Sequence, residues 1–169
     1  MRRSCGFFMV LSLFVSLLAN ADDPAAATRL QRTNMLVSDM DRALSFYRDV
    51  LGFELFRLVS HKKGSYAYEL FSISPEAELR EAMLSSSTQE RVLGLTEIKN
   101  QELPVASKPS RVAVVVHVAD IDAVIQSAQD LGLHSFARDE LQTVDDQTIH
   151  EQGILDWDGN LVLVYSYID

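Results

Sequence analysis

Few side chains in this chain could do chemistry. Arg32 carries a planar guanidinium whose paired N–H groups can grip a carboxylate or phosphate. A salt bridge to a neighbouring Glu, or a charge on an exposed edge, would use it more plainly. His117 has a ring able to take or give a proton near neutral pH, although one histidine near the end of an apolar strand is also accounted for by a hydrogen bond to a neighbour. Glu69 is a second candidate base. Tyr66, Tyr68, Tyr165 and Tyr167 can stack on an aromatic ligand, and strands also favour tyrosine for packing alone. His61, His134 and His150 show no ligand spacing and are expected to face solvent. Asp156 and Asp158 begin like a calcium loop, but the rest of that loop is missing and a tight hairpin turn explains both. The sequence holds no phosphate-cradling glycine loop and no nucleophile elbow.

The elements that must position these groups are best seen in residues 35–56. An apolar run ends at Val37, and Ser38 and Asp39 then offer oxygens to the free N–H groups of a starting helix, with Asp41 adding negative charge near its positive end. Met40, Ala43, Leu44, Tyr47 and Leu51 recur at spacings of three and four, which predicts a helix over 39–51 with one apolar stripe, and Gly52 is placed to end it. Strands are predicted at 30–37 and 53–60. A hairpin turn at 61–65, with Gly64 free to take positive φ, leads to a third strand at 66–73, where Glu69 shares a face with Ala67 and Phe71. A fourth strand is expected at 79–86. Residues 87–110, with Pro104 and Pro109 and no clear period, read as a long connection with one helical turn at 89–95.

The opening pattern then returns. Residues 111–118 are an almost continuous apolar strand, and Ile121, Val124, Ile125, Ala128 and Leu131 repeat the helical stripe up to Gly132. Val37, Asp39 and Asp41 match Val118, Asp120 and Asp122, while Leu51, Gly52 and Phe56 match Leu131, Gly132 and Phe136. The second copy continues through 134–138, a polar loop to Asp146, a strand at 148–155, the turn 156–159 and a last strand at 161–167. A repeat of this length means two copies of one small module.

The N-terminus reads as a secretory signal peptide: Arg2 and Arg3, an uncharged apolar run too short to span a bilayer, and Ala19-Asn20-Ala21 before Asp22. Cleavage is expected after Ala21, followed by a flexible lead over 22–28, and the product would be exported to a periplasm or the exterior. Cys5, the one cysteine, would leave with the signal, taking disulfide and thiolate chemistry with it. The full chain has 15 basic and 24 acidic residues; without residues 1–21 the count is 13 against 24, a formal charge of −11. That balance argues against nucleic acid, and against an anionic membrane surface once the signal is gone.

A strand ending in V-x-D, a helix ending F-Y-x-x-x-L-G-F, a repeat of both and a closing D-x-D-G hairpin resemble the vicinal oxygen chelate superfamily, which includes glyoxalase I, extradiol dioxygenases, fosfomycin resistance enzymes and bleomycin-binding proteins. The residues that carry the resemblance are Val37, Asp39, Phe46, Tyr47, Leu51, Gly52 and Phe53, then Val118, Asp120, Leu131 and Gly132, then Asp156, Asp158 and Gly159. It implies an α+β fold in which two tandem βαβββ modules, 29–88 and 111–169 joined by 89–110, form a curved mixed sheet around a central cleft. In metal-dependent relatives, His, Glu or Gln on each module's first and last strands hold a divalent ion. Carried onto this sequence, three of those positions fall on Arg32, Ala113 and Leu163; the fourth falls within 82–84, with Glu81 close by. A protonated guanidinium, a methyl group and an isobutyl group offer a metal nothing. The resemblance therefore implies a site without the usual metal ligands, and no cofactor is expected.

Alternation puts Arg32, Asn34 and Leu36 on one face of the first strand, Val115 and His117 on the matching face of its repeat, and Leu163 and Tyr165 together on the last strand. With Tyr68, these are the expected ligand-binding residues; His117 and Glu69 are the candidate acid or base. The leading expectation is a binding protein for a small organic molecule, anionic if Arg32 is its anchor. The alternatives are an enzyme (a lyase, isomerase or epimerase, with a metal at positions outside the family pattern if one is used) and a non-catalytic partner-binding scaffold. The sequence leaves a homodimer open.

Overall fold

A computed structural model describes residues 28, 30–106 and 108–168. The expected signal peptide, and the lead except for Thr28, lie outside the described residues. The first module runs β1 (Thr33–Val37), α1 (Met40–Tyr47), β2 (Glu54–Ser60), α2 (Tyr66–Leu70), β3 (Glu78–Ser85) and β4 (Leu93–Lys99). The second runs β5 (Ala113–His117), α3 (Ile121–Asp130), β6 (His134–Ser135), β7 (Asp139–Gln142), β8 (Thr148–Leu155) and β9 (Leu161–Tyr167). Each module has its own curved mixed sheet, in the orders β1-β4-β3-β2 and β5-β9-β8-β6 with β7 beside β8. The first and last strands of each module are parallel and the other pairs antiparallel. The α+β fold of two tandem modules is as expected, with one sheet in each module.

Both long helices start as their sequences predict. The side chains of Asp39 and Asp120 accept from Arg42 N and Ala123 N, one orphan donor at each helix start. Gly52 and Gly132 follow the helices at φ 79° and 77°, where a Cβ would be strained. The two apolar stripes share one core with Val37, Leu84 and Leu95 of the first sheet and Ile154, Val162 and Val164 of the second.

Two expectations fail in the first module. The strand expected at 66–73 is the short helix α2: Ala67, Glu69 and Leu70 are good helix formers, and the turn buries Tyr68 while Tyr66 stays exposed. The connection expected at 89–110, with its helical turn at 89–95, contains β4, six of whose seven residues are buried. β4 is hydrogen-bonded on both sides, to β1 and β3. A strand buried on both faces has no alternation to show, so its pattern is lost in sequence. The first module therefore runs to Lys99 rather than 88, and the strand expected as its last, at 79–86, is an inner one. In the second module, β7 forms inside the stretch expected to be a polar loop.

Two buried carboxylates tie these parts together. Glu97 of β4 accepts from Met40 N at the start of α1 and from both forks of Arg80, Nη2 at 2.8 Å. Burial pushes the Glu97 carboxyl up, but Arg80 and the Met40 N–H more than offset this and hold it below the usual range. Asp156, in the β8–β9 turn, accepts from Asp158 N and Asn160 N on one oxygen, and from the Asn160 amide and the Tyr47 hydroxyl (2.9 Å) on the other. The last bond joins the two modules.

Tyr47→Phe is expected to lower the unfolding free energy by about 2 kcal/mol, the usual loss of a hydrogen bond to a charged group, as read by urea denaturation. A carboxyl with a depressed pKa stabilises fully above its unfolded value of about 4.5 and loses that contribution as pH falls through the folded value. Stability should accordingly fall with acid below that pH, and Glu97→Gln should flatten this dependence while costing about 2 kcal/mol at neutral pH.

Candidate functional site

One face of each sheet packs on the long helices α1 and α3. The other face of the first sheet carries α2 at one end, over Leu36, Leu79 and Ile98, and is polar at its centre. Alternation carries Arg32 and Asn34 onto it, and both lie over Gly94 of β4: a Cβ there would stand 2.3 Å from Asn34 Oδ1 and 3.2 Å from Arg32 Cδ. Glycine is needed at 94 because the side chains of Asn34 on β1 and of Arg32 just before it occupy the volume of its missing one. Asn34 donates to Thr96 Oγ1 at 3.0 Å. Thr96 pairs with Glu81 across β3–β4, so Glu81 shares the face. Glu81 is the centre of the cluster, with Oε2 3.1 Å from His61 Nε2 and Oε1 3.9 Å from Arg32 Nη2. The Arg32–Glu81 contact is an ion pair, the plainer use that the sequence left open for Arg32, though it is too long for a hydrogen bond, and the Arg32 side chain keeps 31% of its surface open.

On the second sheet the matching face is aromatic. The His117 ring lies 5.2 Å from that of Tyr165 and 5.4 Å from that of Tyr167, and Tyr165 and Tyr167 meet edge to face at 5.9 Å. Desolvation by its surroundings raises the Tyr165 phenol above its ordinary value, and Tyr167 beside it adds to the effect. Val115 is more than half exposed, and Phe136 fills the space over Gly153. Leu163, paired with Gly153 and Val115, lies between them.

The expected binding residues are therefore divided. Asn34 and Leu36 line a cavity of about 340 Å³ with Arg111, Val112 and Asn160, whereas Val115 and His117 line another of about 560 Å³ with Phe53, Leu93 and residues 86–88. Arg32, Leu163 and Tyr165 line neither and stand on the open sheet faces. Leu36 also packs against the small cluster under α2, formed by Tyr68, Ile73, Ala77, Leu79 and Ile98. Tyr68 is not a cleft wall: it is 6% exposed, and its hydroxyl donates to Ala77 O. Glu69 lies on the solvent side of α2 rather than on a strand, so the alternation that made it a candidate base does not apply. His61 was expected to face solvent and is instead half-buried against Glu81. A charged residue on β3 opposite the end of β2 was the available signal, but using it required the β2–β3 register.

The same register completes the test for a metal. Asn34 pairs with Gly94 and Val115 with Leu163, and Asn34 and Val115 occupy equivalent places in the repeat. The first-module counterpart of Leu163 is thus Gly94, not a residue in 82–84. The four positions that the resemblance assigns to metal ligands carry Arg32, Gly94, Ala113 and Leu163, which do not fit a divalent ion. Among the described residues no group of three His, Cys, Asp or Glu side chains could hold one.

This architecture agrees with comparison to known proteins. The sequence model of the Glyoxalase/Bleomycin resistance protein/Dioxygenase superfamily matches residues 29–164, and the chain belongs to that superfamily. Among solved structures it is similar to a glyoxalase family protein from Bacillus cereus (17% identity, TM-score 0.64, covering 85% of this chain and 99% of that one). It is also similar to an antibiotic binding protein from a Streptomyces species (17%, 0.54, 85% and 98%) and to a genomically encoded fosfomycin resistance protein from Listeria monocytogenes (10%, 0.53, 83% and 93%). At these identities the likeness is one of fold. No curated protein matches the chain.

Gly94→Ala is expected to leave the fold intact but to displace the Asn34 side chain from Thr96, since that flexible amide is the nearest atom to the new methyl group. Loss of the Asn34–Thr96 bond should cost about 1 kcal/mol, and the displacement should show as a shift of the Asn34 side-chain amide signals in NMR.

Proposed function

We propose that this is an exported member of the superfamily that binds a small anionic organic molecule on the open face of the first sheet, without a metal at the family positions. The observation that supports this reading is Arg32. Its side chain is half-buried, with Cδ over Gly94 on the sheet face away from α1, and its ion-pair partner Glu81 stands at 3.9 Å, beyond hydrogen-bond distance. A fork held this way can take a carboxylate or phosphate by two parallel bonds. Similar structures include an antibiotic binding protein, which makes ligand binding without chemistry a natural use of the fold. Export rests on the N-terminal sequence, and the acidic balance of the chain favours a small-molecule partner over nucleic acid.

A second reading, an enzyme, is favoured by one observation, the His61–Glu81 contact. It differs from the expected acid–base candidates, because His117 packs against tyrosines and Glu69 faces solvent.

Thermal shift with a panel of small carboxylates and phosphonates tests the binding reading. A ligand at 100 times its Kd should add about 2.7 kcal/mol of stability, and Arg32→Ala should abolish the gain. Zn²⁺, Ni²⁺ and Mn²⁺ should give no comparable shift, and a stoichiometric metal in the purified protein would overturn the metal-free site.

A further inference from the structure

β5 is an edge strand. It pairs with β9 on one side, and among the described residues no strand pairs with its other side. All five of its residues, Ala113–His117, line the cavity of about 560 Å³ described above. Successive side chains of a strand point to opposite faces of its sheet, so a cavity that touches every residue in turn runs along the strand's edge and not over one face. No residue of β9 lines it, which places it on the unpaired edge. Parallel strands bond each other through every second residue, and Val118 N donates to Tyr165 O at 2.9 Å, so Val114 and Val116, in phase with Val118, face β9. Ala113, Val115 and His117 therefore turn their backbone N–H and C=O groups towards the cavity.

The other residues of the cavity set what can satisfy those groups. Phe53 and Leu93 are buried and Val92 half-buried, while Ser87 and Thr88 are exposed. In a chain 23% of whose residues are charged, no Asp, Glu, Lys or Arg lines this cavity. Its volume is that of a ligand site. An occupant has to bring donors and acceptors at the repeat of two strand residues, about 6.6 Å, together with apolar groups and no charge. A second extended backbone has that repeat, whereas a helix bonds its backbone internally and a nucleic acid brings phosphates that nothing here would neutralise. We propose that the cavity binds an uncharged, extended peptide segment of about five residues with apolar side chains, added as a strand to the unpaired edge of β5. Main-chain bonds to Ala113, Val115 and His117 hold the segment, and Phe53, Val92 and Leu93 meet its side chains. The site is independent of Arg32, which does not line the cavity.

The probe is acetyl-Ala-Val-Thr-Val-Ala-amide, an uncharged blocked peptide, and the readout is amide hydrogen exchange of the ¹⁵N-labelled protein by NMR. At 100 times Kd about one molecule in a hundred is free, so the N–H groups of Ala113, Val115 and His117 should exchange about a hundredfold more slowly than without peptide. Those of Val114 and Val116, bonded to β9 in both states, should change little. A ligand that only fills apolar space would not produce this alternation. The same peptide with every amide N-methylated should not bind, and replacing its two valines with glutamates should weaken binding about tenfold. Val115→Pro removes one outward N–H and leaves the β9 ladder intact; checked for folding by circular dichroism, it should also weaken binding about tenfold. Three results would each overturn the proposal: no binding of the probe at millimolar concentration, undiminished binding of the N-methylated peptide, or slowing without the alternation. Ala113, Val115 and His117 amides already protected in the free protein would overturn it too, with a second copy of the chain on the edge if that protection rises with protein concentration.

Discussion

The Asp156 carboxylate is the constraint on which the pairing of the two modules depends. Burial pushes its carboxyl up, yet four donors surround it: two backbone N–H groups of its own turn, the Asn160 amide and the Tyr47 hydroxyl. The first three fold the β8–β9 turn, with Gly159 at φ 79°. The fourth comes from a helix more than a hundred residues earlier, and burial together with the Asp156 charge keeps that phenol protonated and able to donate. Around this bond, Ser38 N donates to Asp158, the Asn160 amide donates to Leu36 O, and the Arg42 guanidinium lies 5.2 Å above the Trp157 ring. One turn of the second module is thereby seated on the β1–α1 junction of the first.

The two open faces differ in a way that follows from single residues. Gly94 removes a side chain from the centre of the first sheet, and the room is taken by polar groups from β1. Leu163, at the equivalent place in the second sheet, keeps that centre apolar and leaves the histidine and two tyrosines to pack beside it. A divalent ion needs donors at these same positions. Those positions carry Arg32, Gly94, Ala113 and Leu163, and the two faces are one polar and one aromatic surface.

Superfamily membership, the module repeat, both long helices with their caps and the closing hairpin were legible in the sequence, because each rests on local signals. These are an Asp before an apolar stripe, a Gly after it, and an Asp-x-Asp-Gly turn between two strands. That Arg32 shares a sheet face with Asn34 was legible too, since alternation along one strand is enough to place it. What only the tertiary structure decided depends on partners distant in sequence. β4 shows no alternation because it is covered on both faces, and a short helix of tyrosines imitates a strand until one ring is seen buried and the other exposed. His61 just after β2, Glu81 on β3 and Arg32 just before β1 are far apart in the chain, and no spacing along it relates them. They meet because the β2–β3–β4–β1 hydrogen-bond register sets which residues stand side by side, and that register is a property of the assembled sheet.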